Sequence, residues 1–160
     1  YRSSAPGLPV AAYDDLSAFK IYLVDVGLLR RLAQLAPTAF GEGNRLFTEF
    51  KGALTENFVL QTLVTQFEVI PRYWTQTNPP YEVDFLIQRE NDIFPVEVKS
   101  EAHTSSKSLK KFKELFPDKV KLRVRFSLDN MKLDDDVLNI PLFMADQADR
   151  LIGLALEQKS

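Results

Sequence analysis

The chain has 160 residues, 45% of them hydrophobic and 26% charged, with a formal net charge of -2, which is the size and balance of one globular domain with a real core. The absence of cysteine excludes a disulfide framework and any thiolate metal site, and it fits a reducing, cytoplasmic setting. No apolar run approaches the roughly 18 residues of a membrane span, and there is neither a signal peptide nor a GxxxxGK[ST] phosphate loop, so neither a membrane partner nor an ATP site is expected within this chain.

Residues 1–18 read as a linker, with Pro6, Gly7 and Pro9 and little periodicity. Because the first residue is Tyr1 rather than Met, the expectation is a piece of a longer polypeptide, with one domain over 19–160. Phe19 to Val24 is a short strand candidate. Asp25 then suits the N-cap of a helix over 26–35, which Pro37 closes. A loop over 36–46 follows, with Gly41, Gly43 and Asn44.

A long apolar helix is expected over 48–67. Phe50, Ala53, Leu54, Phe58, Leu60, Leu63, Val64 and Phe67 cover a wide arc. Glu56 shares a face with Ala53, Leu60, Leu63 and Phe67 at helical spacing. A carboxylate there is costly unless paired or coordinated. Pairing with Lys99 or Arg72 would explain it as well as a functional role would. Residues 72–75 form a short strand, in which Tyr73 and Trp74 could stack on bases, although core packing is the commoner job for such rings.

The stretch 82–99, EVDFLIQRENDIFPVEVK, is a β-hairpin by its period-two alternation. With Glu90-Asn91 at the tip, Asp84 lies directly opposite Glu97 and Glu82 opposite Lys99. Opposed like charges destabilise a sheet. A half-buried carboxylate pair therefore needs a shared proton, a nearby cation such as Lys99, or a divalent metal ion. A solvent-exposed face would make the same pair inexpensive.

Past the hairpin, Thr104 or Ser105 would cap a helix over 105–116 with Leu109, Phe112, Leu115 and Phe116 as its buried stripe. Residues 121–126 then alternate Lys121, Arg123 and Arg125 with apolar neighbours. From Lys99 to Arg125 nine Lys or Arg stand against three acids, which suits phosphate contact and equally suits a solvated face. His103 stands alone in its loop. Residues 138–144 are a short apolar segment interrupted by Pro141, and a closing helix is expected over 146–157.

This order resembles the PD-(D/E)xK nuclease superfamily, with its αβββαβ core: helix 48–67, strands near 72–75, 82–88 and 93–99, helix 105–116 and strand 121–126. The fold implied is α/β, a central mixed sheet flanked by helices. More closely, FKIYLVDVGLL, GALTENFVLQTL, RYWT, EVDFLI, PVEVKS and NIPLFMA resemble a domain of unknown function that forms the C-terminal part of many prokaryotic AAA+-type ATPases. The resemblance implies an N-terminal ATPase part with a winged-helix segment, to which residues 1–18 would be the link. It also implies a Mg2+-dependent DNA phosphodiesterase, Mn2+ being an alternative ion. Asp84 and Glu97 would be the metal-binding carboxylates, with the Val98 backbone carbonyl as a further oxygen. Glu56 would assist from the helix, and Lys99 would orient the attacking water. Val83 stands where the family has proline. Lys107, Lys110, Lys111, Arg123 and Arg125 would meet nucleic acid. The alternative is a non-catalytic module that binds nucleic acid, a protein partner or a second copy of itself.

Overall fold

The computed structural model describes residues 1–40, 45–102 and 105–159. Gly41, Gly43, Asn44, His103 and Thr104, singled out above, lie outside them. The chain is mixed α/β. Its strands are β1 (Arg2–Ser3), β2 (Asp14–Asp15), β3 (Arg72–Gln76), β4 (Tyr81–Arg89), β5 (Asp92–Val98), β6 (Arg123–Ser127), β7 (Lys132–Asp134) and β8 (Val137–Pro141). Its helices are α1 (Val26–Leu32), α2 (Arg45–Leu63), α3 (Lys107–Leu115) and α4 (Ala148–Glu157). The eight strands form one mixed sheet in the order β2-β1-β3-β4-β5-β6-β8-β7. Among the described residues no helix is long and apolar enough to cross a membrane.

Two cores sandwich the sheet. On one face Val59, Leu63 and Phe67 from α2 and its C-terminal extension meet Leu151, Ile152 and Ala155 of α4 over Phe85, Ile87, Phe94, Val96, Val124 and Phe126. On the other, Leu109 and Phe112 of α3 close over Trp74, Val83, Leu86 and Ile93. Trp74 packs edge-on against Phe112 and Phe116, at 5.0 and 5.9 Å between ring centres, so its ring serves packing.

The hairpin has the register read from the alternation. Its ladder runs from Arg89 opposite Asp92 to Phe85 opposite Val96. Glu90, at the tip, takes a φ of 53°, a left-handed conformation that a side chain disfavours. Across β3 the register slips. Trp74 pairs with Val83 but Arg72 pairs with Leu86, so β4 carries one extra residue over this stretch. This bulge lets Val83 and Leu86 both face the α3 core while Phe85 faces α2. Asp84 sits inside it.

Two expected elements differ. Residues 1–18, read as a linker, instead extend the sheet: β1 runs parallel to β3 and antiparallel to β2, and Val10 is buried under the backbone-to-Gln88 bond of 2.9 Å. Strands of two residues leave no period to read. Residues 19–24, read as a strand, lie outside the sheet. The side-chain amide of buried Asn57 accepts from Leu23 N at 2.8 Å and donates to Leu23 O at 3.1 Å, so one amide on α2 takes the place of a neighbouring strand. The Asp25 carboxylate does cap α1, accepting from Leu28 N at 2.8 Å.

Candidate functional site

Glu56 sits on α2 one turn before Val59 and Leu60, where the helix passes the end of β4. Its Oε1 accepts hydrogen bonds from Lys20 Nζ, at 3.0 Å, and from the Tyr22 hydroxyl. Lys20 Nζ also donates to Glu82 Oε1 and rests 5.1 Å from the centre of the Tyr73 ring, a favourable cation–π distance. Glu56, Glu82 and Asp84 each bring an oxygen within 4.8 Å of the other two. The bulge is what turns Asp84 toward this group, and its Oδ2 accepts from Val98 N at 2.7 Å.

The electrostatics follow from enclosure. Burial pushes the Asp84 carboxyl up to about 7; the Val98 N–H acts against this and the Glu56 charge adds to it. Burial alone would lower the Lys20 ammonium, but Glu82 and Glu56 outweigh it and hold it above its usual range. The Tyr22 hydroxyl is raised by burial and by its bond to Glu56. The group therefore combines three acids and one cation in a place where Asp84 ionises reluctantly.

Glu97 and Lys99 form a second group. Val96 and Val98 turn into the α2 core, so strand alternation sends Glu97 and Lys99 to the opposite side. Glu97 is only 4% exposed, and Lys99 Nζ lies 2.6 Å from its Oε1. Its Oε2 is buried without a hydrogen-bond partner. The structure thus brings Glu56 to Asp84, and Lys99 to Glu97. The close trio of oxygens includes Glu82 rather than Glu97, although the Glu97 charge still contributes to raising Asp84. Sequence reasoning missed Lys20 and Tyr22, and it set Glu82 opposite Lys99, whereas Glu82 pairs with Lys20. The clue was the spacing of Lys20 and Tyr22, which places both on one side of an extended segment.

The basic residues divide by role. Lys107 and Lys110 are exposed, and Lys111 pairs with Glu114 at 3.5 Å. Arg123 is committed to Asp136, which also receives Lys113 Nζ at 2.6 Å. Arg125 Nε donates to Asn139 Oδ1 at 2.9 Å. Lys110, Arg123 and Arg125 share a cavity of about 400 Å³ with Asn130, Lys132 and Asn139, and Asp129 and Asp134 also line it.

The donor set of the trio is all carboxylate oxygen, which suits a hard divalent cation such as Mg2+ or Mn2+. Ligand oxygens around one Mg2+ lie at most about 4.2 Å apart, twice the bond length of about 2.1 Å, so small side-chain rotations would bring the three within range.

A family model described as "Domain of unknown function (DUF4143)" matches residues 51–143, and the chain belongs to this family. No curated protein and no solved structure matches it.

Proposed function

We propose, starting from membership of the DUF4143 family, that this chain has a PD-(D/E)xK nuclease-like core and acts in the cytoplasm as a Mg2+-dependent DNA phosphodiesterase, as the C-terminal part of a prokaryotic AAA+-type ATPase. The succession α2, β3, β4, β5, α3, β6 supports the first part, since it is the αβββαβ order that the resemblance requires. The observation that supports catalysis best is the convergence of Glu56 and Asp84, from a helix and a strand bulge, where burial first and the Glu56 charge second disfavour ionisation of Asp84. Such strain is characteristic of functional sites. A bound Mg2+ would supply an activated water and neutralise charge on the scissile phosphate. Asp84 and Glu56 would hold the ion, with Glu97 reinforcing the negative field. Lys99, one residue past the end of β5, would reach around the strand end to bring positive charge to the phosphate as the transition state forms.

The test is cleavage of a panel of single- and double-stranded DNA with Mg2+ or Mn2+. Activity lost at least 100-fold in both Asp84→Ala and Lys99→Ala, with folding intact, supports the reading. No cleavage by wild type sinks it.

One observation favours a second reading, a non-catalytic module binding nucleic acid or a protein partner. Lys20 already pairs with Glu56 and Glu82, and Lys99 already pairs with Glu97. Under that reading DNA binding without cleavage would weaken steeply with salt, because phosphate contacts release counterions.

A further inference from the structure

We propose that the cavity on the α3 face of the sheet binds a small phosphomonoester, a phosphate carried on a hydroxyl-bearing body of nucleoside or sugar size. The cavity lies across the sheet from the α2 face toward which Asp84 turns, and the proposal stands independently of the catalytic reading.

The strand register builds the site. Val124 and Phe126 of β6, and Leu138 and Ile140 of β8, turn into the α2 and α4 core, so alternation sends Arg125 and Asn139 to the other face. Arg125 is the partner of Asn139, and Asn139 of Lys132 on β7, so the three stand in one row across three strands. Glu97, next in the row on β5, is already met by Lys99. The apolar stripe of α3 covers Trp74, Val83, Leu86 and Ile93, which belong to β3, β4 and β5. The row beyond them lines a cavity of about 400 Å³, walled by Ser106 and Lys110 on the α3 side and by Asn130 in the turn between β6 and β7.

The site is held ready before any ligand arrives. Asn139 is 3% exposed. Its Oδ1 accepts from Arg125 Nε at 2.9 Å and from Ser127 Oγ at 2.7 Å. Its Nδ2 donates to Asp129 O at 3.2 Å and to Asn130 O at 2.9 Å. One buried amide thus fixes both a guanidinium and the turn facing it, which lowers the ordering cost of binding.

The charges select the ligand. Lys110, Arg123, Arg125 and Lys132 line the cavity against Asp129 and Asp134. Asp136, the partner of Arg123, is also met by Lys113, so the surplus is positive. Guanidinium and ammonium groups side by side suit a phosphate monoester, which carries close to two negative charges at neutral pH. The acids and amides on the same walls can bond hydroxyl and amino groups, so the lining fits a phosphate on a polar body better than a bare anion. The volume falls within the roughly 300–1,000 Å³ of small-molecule sites.

The test is calorimetric titration, at constant ionic strength, of the four ribonucleoside monophosphates and two sugar phosphates, each beside its dephosphorylated counterpart. The variant is the double change Lys110→Gln and Lys132→Gln. Both lysines are exposed and neither belongs to the Asn139 network, so the fold is kept. At least one ester should bind at least tenfold more tightly than its counterpart, and the variant should weaken that binding at least tenfold. No ester binding tighter than about 1 mM, or a loss below tenfold in the variant, overturns the proposal. So does a DNA oligonucleotide without terminal phosphates that binds through the same lysines while no ester binds, since the surface would then follow a phosphodiester strand. In wild type the bound ester should also shift the amide signals of Ser106 and Asn130 and leave that of Glu56 in place; shifts at Glu56 with none at Asn130 would place the ligand elsewhere and refute the site.

Discussion

Replacing Asp84 by Asn should make the metal-free protein more stable, by an amount that depends on pH. The folded state raises this carboxyl from 3.8 to about 7, so the folded protein holds a proton that the unfolded chain has released over that interval. Stability from this group is fully present below pH 3.8 and is lost as pH rises through about 7. A shift of about three units corresponds to roughly 4 kcal/mol, an upper bound, because local opening and water entry relieve part of it. Asn keeps an oxygen able to accept the Val98 N–H, so the structural bond survives while the charge does not. Urea unfolding in the presence of a chelator, at pH 4, 6 and 8, should show the variant gaining about 2–4 kcal/mol over wild type at pH 8 and close to nothing at pH 4. A variant no more stable at pH 8, or equally stabilised at pH 4, would refute the view that Asp84 is held charged against its environment.

Two further outcomes are expected. Asp136, 1% exposed, is raised by burial but overcome by Arg123 and Lys113, which hold it at about 2; its ionised form therefore contributes stability above pH 3.8 that fades as pH falls toward 2. Asp136→Ala should cost about 3–5 kcal/mol at pH 7, since two cations lose their shared partner, and much less at pH 2, as denaturant melts at the two pH values will show. Glu90→Gly should stabilise by about 0.5–1 kcal/mol, because glycine accepts positive φ without steric cost; a loss of stability in a thermal melt would show that the Glu90 side chain holds the hairpin tip by contacts of its own.

The sequence disclosed elements where periodicity was long enough to count. The hairpin and its register, the long α2 and the stripe of α3 all carried repeating signals, and the turn chemistry at Glu90-Asn91 fixed which residues oppose. What stayed hidden was set by single side chains. Nothing in the alternation of 19–24 says that Asn57 will claim Leu23 and keep the segment out of the sheet. Nothing in EVDFLI marks the extra residue that swings Asp84 toward α2, since a bulge is decided by the partner strand as much as by its own sequence. The pairing of Asp84 with Glu97 followed from an unbroken ladder, and the ladder ends at Phe85. Arg123 looked available because its partner, Asp136, lies in the acidic run that follows and folds back through β8.

The margins of the sheet bear on how this chain keeps company. An open sheet ends in unpaired backbone groups that can recruit strands from other molecules and seed aggregation. Here the outermost strands are β2, two residues long, and β7, three residues long. Both are charged. Asp14 and Asp15 are tied to Arg72 and Arg2, and Lys132 pairs with Asp134 at 3.0 Å in solvent. At the far side Asp135 turns sharply with a φ of 53°, which folds β7 back at once onto β8. An incoming strand would find little backbone to copy at either margin. Concentrated solutions should accordingly resist fibril formation even with eight strands laid edge to edge.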